Sequence, residues 1–257
     1  MTKTTIRAAG AVLLCVLTVS VASGARAAQL KVFSTIAVQA ALKELAPVYE
    51  KESGNKLDIT FNTAAALAKR VQEGENADVL ILTPPLLEGL TKDGKAAPAI
   101  TPLVSSGVAM VVKSGAAKPD ISTPEAFKAA ILNAKSIAYS DPAAGGASGV
   151  YVAKLLARLG LADAVKDKTK HPPAGGNAAN LVASGEAELA IQQTPEVKGV
   201  SGVDIVGVLP GDLNNITTFA AGMGSETDEG EAVRNFITFL KSPTATDMFK
   251  AKGLDPA

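Results

Sequence analysis

Short polar side chains stand where apolar, strand-like runs give way to helical segments early in the chain. Ser34 and Thr35 follow the first such run, and Asn62 and Thr63 follow the second. Hydroxyl and amide groups bind a sequestered anion without the desolvation cost of a buried Lys or Arg. Both threonines also suit helix N-caps, which is the structural alternative. The residue types therefore predict a small-anion site that is built from uncharged donors.

A second set of neutral donors lies in the later part of the chain. A glycine-rich segment opens a helix there, so that backbone amides and the Ser148 hydroxyl can approach a ligand and Gly149 leaves room for it. A plain connector in which Ser148 serves as N-cap is the alternative. Asn177 is a further amide donor. Gln192 and Gln193 follow a strand-like run, and because consecutive side chains point to opposite faces, we expect one of them to face the ligand.

Titratable residues that could move a proton at such a site are few: Asp141, Tyr151, His171 and Glu196. For His171 we favour an exposed loop position without a role, and for Asp141 a role in the turn chemistry at a strand end. Motifs of serine hydrolases, P-loops, dinucleotide sites and zinc proteases are missing from the sequence. His171 and Cys15 are the only histidine and cysteine, too few for a structural zinc site. We expect neither a metal nor a cofactor.

The elements that position these residues follow from the hydrophobic pattern. The 257 residues are 47% hydrophobic and carry 25 basic and 25 acidic side chains, which is typical of a globular protein and not of a nucleic-acid-binding one. Strand-like and helical segments alternate, so we predict an α/β protein of two lobes. Each lobe is expected to be a mostly parallel sheet flanked by helices, with the ligand cleft between them. We assign 28–106 to lobe 1, 107–217 to lobe 2, and 218–257 to a segment that returns to lobe 1.

The N-terminus predicts an export signal. Lys3 and Arg7 precede an apolar run over residues 8–22, which is followed by Ala-Arg-Ala at 25–27. We expect residues 1–27 to be removed after Ala27 and the protein to be periplasmic. A lipoprotein site at Cys15 and a retained membrane anchor are weaker alternatives, the anchor because the run is shorter than the ~20 residues that span a bilayer.

Several motifs resemble the periplasmic molybdate-binding protein family, and the resemblance covers nearly the whole chain after residue 27. The motifs are residues 31–33 with the helix to Tyr49, residues 66–71 leading to Gly74, residues 77–79, Asp-Pro-Ala at 141–143, and Gly-Glu-Ala-Glu at 185–188 leading to Gln192 and Gln193. The resemblance implies the two-lobed fold of ABC-importer solute-binding proteins. It also implies a monomer, a small anionic ligand and an inner-membrane permease as partner.

The same resemblance implies where the ligand-binding side chains of that family would fall. Its two serines fall on Ala37 and on Ala64 or Ala65, and its tyrosine falls on Gln193. Each missing charge-assisted bond would cost roughly 1 to 3 kcal/mol, so an organic carboxylate is favoured over molybdate. We therefore expect a solute-binding protein for a small anion.

Two other functions remain alternatives. The Gln-Gln pair resembles a periplasmic aconitate isomerase on the same scaffold, which would need a base and donors that stabilise an enolate. A sensory or partner-presenting role is the other alternative.

Overall fold

A computed structural model describes residues 27–173 and 176–257. The predicted export signal thus lies outside the described residues, apart from Ala27. The strands in chain order are β1 (Gln29–Thr35), β2 (Lys56–Asn62), β3 (Val79–Leu82), β4 (Ala96–Ser106), β5 (Val108–Lys113), β6 (Ile137–Ala138), β7 (Thr169–Lys170), β8 (Leu189–Gln193), β9 (Val203–Val208), β10 (Thr217–Gly224) and β11 (Asp255–Pro256). The α-helices are α1 (Gln39–Ser53), α2 (Ala64–Gln72), α3 (Pro84–Lys92), α4 (Pro124–Asn133), α5 (Ala147–Arg158), α6 (Ala162–Val165), α7 (Ala178–Ala183), α8 (Thr194–Val197), α9 (Gly230–Phe239) and α10 (Pro243–Ala251).

The strands form two sheets. One has six strands in the order β11-β4-β10-β3-β1-β2, and the other has five in the order β7-β6-β8-β5-β9. We refer to the six-stranded sheet with its helices as lobe 1 and to the five-stranded sheet with its helices as lobe 2. The strands of lobe 1 come from residues 29–106 and 217–256, and those of lobe 2 from residues 108–208. The exact lobe boundaries stay a prediction.

Both sheets are mixed, whereas the sequence predicted mostly parallel ones. In lobe 1, β1 runs parallel to β2 and β3, but β10 runs antiparallel to β3 and β4. The reason is that β10 carries the chain back from lobe 2 and inserts between two strands of lobe 1. In lobe 2, β6 runs parallel to β7 and β8, but β5 runs antiparallel to β8 and β9.

Each sheet buries apolar side chains on both faces, as the alternation along its strands requires. In β1, Leu30 and Val32 point into one core with α1 and α9, and Phe33 points into another with α2 and α3. In lobe 2, Met110 and Ala109 of β5 likewise belong to different cores. Burial of such side chains, at about 1.5–3 kcal/mol for each large one, holds the strand ends in place.

The chain passes between the lobes at Gly107 and through residues 209–216. The two crossings touch, because the Val108 backbone N–H donates to Asn214 Oδ1 at 2.9 Å. A Cβ at Gly107 would lie 2.8 Å from the Asn214 amide, so only glycine fits there without displacement. Within the described residues, no helix has both the length and the apolar character needed to cross a membrane.

Candidate functional site

A cavity of about 20 Å³ lies between the two lobes, and we call it the interlobe pocket. Both lobes contribute residues that the sequence analysis selected, including Thr35 and Thr63 from lobe 1 and Asp141, Ser148 and Glu196 from lobe 2. Among the described residues that line it, none is Lys or Arg. The polar groups around the pocket are therefore side-chain hydroxyl and carboxyl groups together with backbone amides.

Two helices of different lobes begin at this pocket. Ala64 opens α2, and Ala147 and Ser148 open α5. The first amide groups of a helix have no partner within the helix, and the helix dipole makes this end positive. Because Ala64, Ala147 and Ser148 all line the pocket, it combines two positive helix ends and favours a negatively charged ligand.

Thr63 both caps a helix and joins the lobes. Its Oγ1 accepts a hydrogen bond from Ala66 N at 3.2 Å and donates one to the Ala144 carbonyl oxygen at 2.8 Å. Next to this bond, Gly145 has a φ of 72°, and a Cβ there would lie 2.7 Å from the Ala65 methyl group. The lobes are therefore in direct contact at the rim of the pocket.

Glu196 is an acid–base group of the site, and its pKa is raised. It lines the pocket, and its Oε2 atom is buried without a hydrogen-bond partner among the described residues. Burial raises the pKa of Glu196 to about 7, although a hydrogen bond with the Gln192 side chain opposes the shift. The carboxyl group can therefore both take up and release a proton near neutral pH.

Asp141 also lines the pocket, but its carboxylate is engaged locally. Its Oδ1 accepts a hydrogen bond from Ala143 N at 2.9 Å, which caps the 3-10 turn Pro142–Ala144. Asp141 thus takes part in the turn chemistry expected of it at a strand end. The structure thus brings Asp141 and Glu196 together with the donors Thr35, Thr63 and Ser148.

The two consecutive glutamines belong to β8 itself and are both buried. Gln192 Oε1 accepts from Ala178 N at 2.8 Å, and its Nε2 donates to Ser140 Oγ at 3.3 Å. Gln193 Oε1 accepts from Ser106 Oγ at 2.8 Å, while its Nε2 has no partner among the described residues. The residues described as lining the interlobe pocket include neither glutamine. Their hydrogen bonds instead connect β8 to β4, to α7 and to the segment after β6.

Four other residues predicted for the site are not among the described lining of the interlobe pocket and are engaged within the protein. Ser34 is fully buried in β1 and donates to the Thr35 carbonyl oxygen at 3.2 Å. Asn62 Oδ1 accepts from the N–H of Thr63 at 2.8 Å. Asn177 caps α7, and Gly149 packs so tightly that a Cβ would lie 2.2 Å from the Ser140 carbonyl oxygen.

Tyr151 and His171 are not brought to the pocket. The Tyr151 hydroxyl donates to the Leu213 carbonyl oxygen at 2.9 Å. His171 is exposed, its Nδ1 lies 2.9 Å from the Tyr139 carbonyl oxygen, and its ring stands edge-on to the Tyr139 ring. Of the four titratable candidates, the described lining of the interlobe pocket therefore includes Asp141 and Glu196.

Some lining residues were not identified from the sequence. Ser140 is the second residue after β6, so it also lies near a strand end, and Phe219 comes from β10. Ala37 and Ala64 also line the pocket. The resemblance places one serine of the family at Ala37 and the other at Ala64 or Ala65.

Comparison with known proteins supports this architecture. An aconitate isomerase of a Pseudomonas species is 37% identical over 234 residues, which cover 88% of this chain and 87% of that protein. The molybdate-binding protein ModA of Escherichia coli is 25% identical over 228 residues, 88% of each chain. The solved structure of the Azotobacter vinelandii periplasmic molybdate-binding protein superposes with a TM-score of 0.72 at 21% identity, covering 88% of this chain and 98% of that one.

These similarities confirm the predicted two-lobed periplasmic-binding-protein fold. They also confirm the resemblance to molybdate-binding proteins that was inferred from the motifs. Residues 30–255 match a single family over almost the whole described chain, and this protein belongs to that family, the bacterial extracellular solute-binding proteins.

Proposed function

We propose that this protein is an aconitate isomerase that works on a solute-binding scaffold. The observation that carries the proposal is the carboxyl group of Glu196, a residue that lines the interlobe pocket: its Oε2 is buried without a partner among the described residues, and its pKa is raised to about 7. A ligand carrier needs no such group, because an ionisable carboxylate repels an anionic ligand. The 37% identity to an aconitate isomerase supports the same activity.

The reaction needs one group that removes and returns a proton. The Glu196 carboxylate takes a proton from the methylene carbon of cis-aconitate, and the C–H electron pair delocalises over the adjacent double bond and carboxylate. Neutral Glu196 then gives the proton to the former vinyl carbon, so that the double bond shifts and the trans isomer forms. A pKa close to the working pH suits both steps.

The remaining residues of the pocket stabilise the negative charge that develops during this transfer. The amide groups at the starts of α2 and α5 converge on the pocket, together with the hydroxyls of Thr35 and Ser148. Donors that are fixed before the reaction stabilise an enolate-like intermediate more than the substrate. Among the described residues that line the interlobe pocket, these donors are all uncharged.

Substrate binding requires the lobes to move apart. The interlobe pocket of about 20 Å³ has room for little more than one water molecule. Sites for small organic ligands usually have roughly 300 Å³ or more. The Thr63 to Ala144 hydrogen bond joins the lobes and must break on opening. Closure would then exclude water from the reacting carbons.

A carrier function is the second candidate, and membership in the solute-binding family favours it. In that case the protein would bind a small anion between its lobes and deliver it to an inner-membrane ABC permease. Molybdate fits this site less well than a carboxylate does, because Ala37 and Ala64 line it with methyl groups. Export through residues 1–27 and action in the periplasm as a monomer belong to both proposals.

The test is isomerisation of cis-aconitate by the purified protein, followed by chromatographic detection of the trans isomer. The wild type is expected to convert the substrate, and Glu196→Gln is expected to lose about 10²- to 10⁴-fold in kcat, the usual contribution of a general base. Glu88→Gln, which alters an exposed carboxylate on α3, serves as the matched control and should keep full activity.

Absence of trans-aconitate with folded wild-type protein refutes the isomerase. Calorimetric titration with molybdate, tungstate, sulfate, citrate and both aconitates then tests the carrier.

A further inference from the structure

A second cavity adjoins the interlobe pocket at Glu196. It has a volume of about 310 Å³, and we call it the outer pocket. The two cavities share Ile36, Gly176 and Glu196. Since shared residues form the boundary, the cavities are two parts of one cleft between the lobes, and Glu196 is one of the residues at which they meet.

Lobe 1 contributes one face of a helix to the outer pocket. Ile36, Gln39, Ala40 and Lys43 line it at the spacing of successive helical turns, from the 3-10 turn Ile36–Val38 into α1. Lys43 is exposed, and the structure shows no ion pair for it among the residues it describes. This wall therefore presents an ammonium group to the cavity.

Lobe 2 contributes a second lysine from the opposite side. Lys198 directly follows α8 and lines the same cavity, as Asn177 and Gln192 do. Its Nζ donates to the Lys250 carbonyl oxygen at 3.3 Å. An ammonium group has three donor hydrogens, so two remain for a ligand. The outer pocket thus has a cation on each lobe, whereas the described lining of the interlobe pocket has none.

We propose that the outer pocket is the subsite that selects polycarboxylates, with Lys43 and Lys198 together binding a carboxylate that the helix N-termini do not hold. The inference rests on the proposed function, because it assumes a polycarboxylate ligand. A tricarboxylate brings several negative charges next to Asp141 and Glu196, and two helix ends balance only part of them. The two lysines supply the missing positive charge.

This arrangement also positions the substrate. One carboxylate at the helix N-termini and another at the lysines place the carbons between them beside Glu196, where the two cavities meet. Because Lys43 belongs to lobe 1 and Lys198 to lobe 2, a carboxylate bound by both also holds the lobes together. Ligands without a second carboxylate in reach of the lysines should bind without this help.

The test compares trans-aconitate with crotonate, a monocarboxylate, by titration calorimetry. Lys43→Gln and Lys198→Gln are each expected to weaken trans-aconitate binding about tenfold, as loss of a charge-assisted bond predicts, and to leave crotonate within about twofold. Lys92→Gln on α3, an exposed lysine that is not among the described residues of either cavity, is the matched control. Arginine at either position should restore most of the affinity, since it keeps the charge.

Unchanged trans-aconitate affinity in the double variant overturns the inference, even if the wild type isomerises aconitate. Equal weakening of both ligands also overturns it, because the lysines would then act without selecting a polycarboxylate. Lysine-dependent binding of trans-aconitate without isomerisation supports the subsite and refutes the enzyme. Failure of the folded wild type to bind trans-aconitate overturns both.

Discussion

The pKa of Glu196 leads to a prediction about stability as well as catalysis. Burial raises this pKa from 4.5 to about 7. Between these values a rise in pH ionises the carboxyl group in the unfolded chain while the folded protein keeps its proton. The unfolded state therefore binds fewer protons, and the free energy of unfolding falls as pH rises.

The size of this effect follows from the shift. One pKa unit corresponds to about 1.4 kcal/mol, so wild-type stability should lose about 3 kcal/mol relative to a non-titrating variant between about pH 4 and pH 8. Glu196→Gln removes the titration and keeps the shape of the side chain. Its other effects, such as unpaired amide hydrogens, do not change with pH and cancel from the comparison of the two ends of the range.

Urea unfolding of the wild type, Glu196→Gln and Glu88→Gln across this pH range measures the effect. The stability of Glu196→Gln relative to wild type should rise by about 3 kcal/mol from the acidic to the alkaline end, whereas Glu88→Gln should stay within about 0.5 kcal/mol. A constant difference between Glu196→Gln and wild type would refute the assignment of a buried, protonated carboxyl group to this position.

Two further pairs of variants test the contacts around the site. Thr123→Val, which removes only the cap of α4, should lower the free energy of urea unfolding by about 1 kcal/mol, and Thr63→Val by about 2 kcal/mol because it also removes the bond to Ala144. Equal losses would show that the bond between the lobes does not contribute. Gln192→Met should cost about 1–3 kcal/mol more than Gln193→Met, since only Gln193 has an amide nitrogen without a partner among the described residues. The reverse order in thermal or urea unfolding would contradict the described hydrogen bonds.

The sequence predicted the first βα units well because each one is encoded locally. The apolar alternation of β1 and the capping threonine before α2 each determine structure within a few residues of their own position. In contrast, β4 received no assignment, since Pro98 and Pro102 interrupt its pattern. The position of β10 between β3 and β4 depends on how the chain returns from lobe 2, which no local pattern records.

The residues of the site were likewise predictable where their position depends on nearby sequence, and not where it depends on contacts between distant segments. Strand-end reasoning selected Thr35 and Thr63, which line the pocket, but also Ser34, which the alternation of β1 turns inward. Glu196 was one of several acid–base candidates in the sequence. Its burial and its raised pKa arise from the packing of both lobes, so the structure was needed to single it out.

A crystal structure of the Glu196→Gln protein with trans-aconitate bound would show directly whether the reacting carbons lie beside residue 196. We expect the ligand between the lobes, with one carboxylate at the starts of α2 and α5 and the methylene carbon facing residue 196. A ligand bound outside this cleft, or held within it with the methylene carbon turned away from residue 196, would contradict the proposed role of Glu196 as the base.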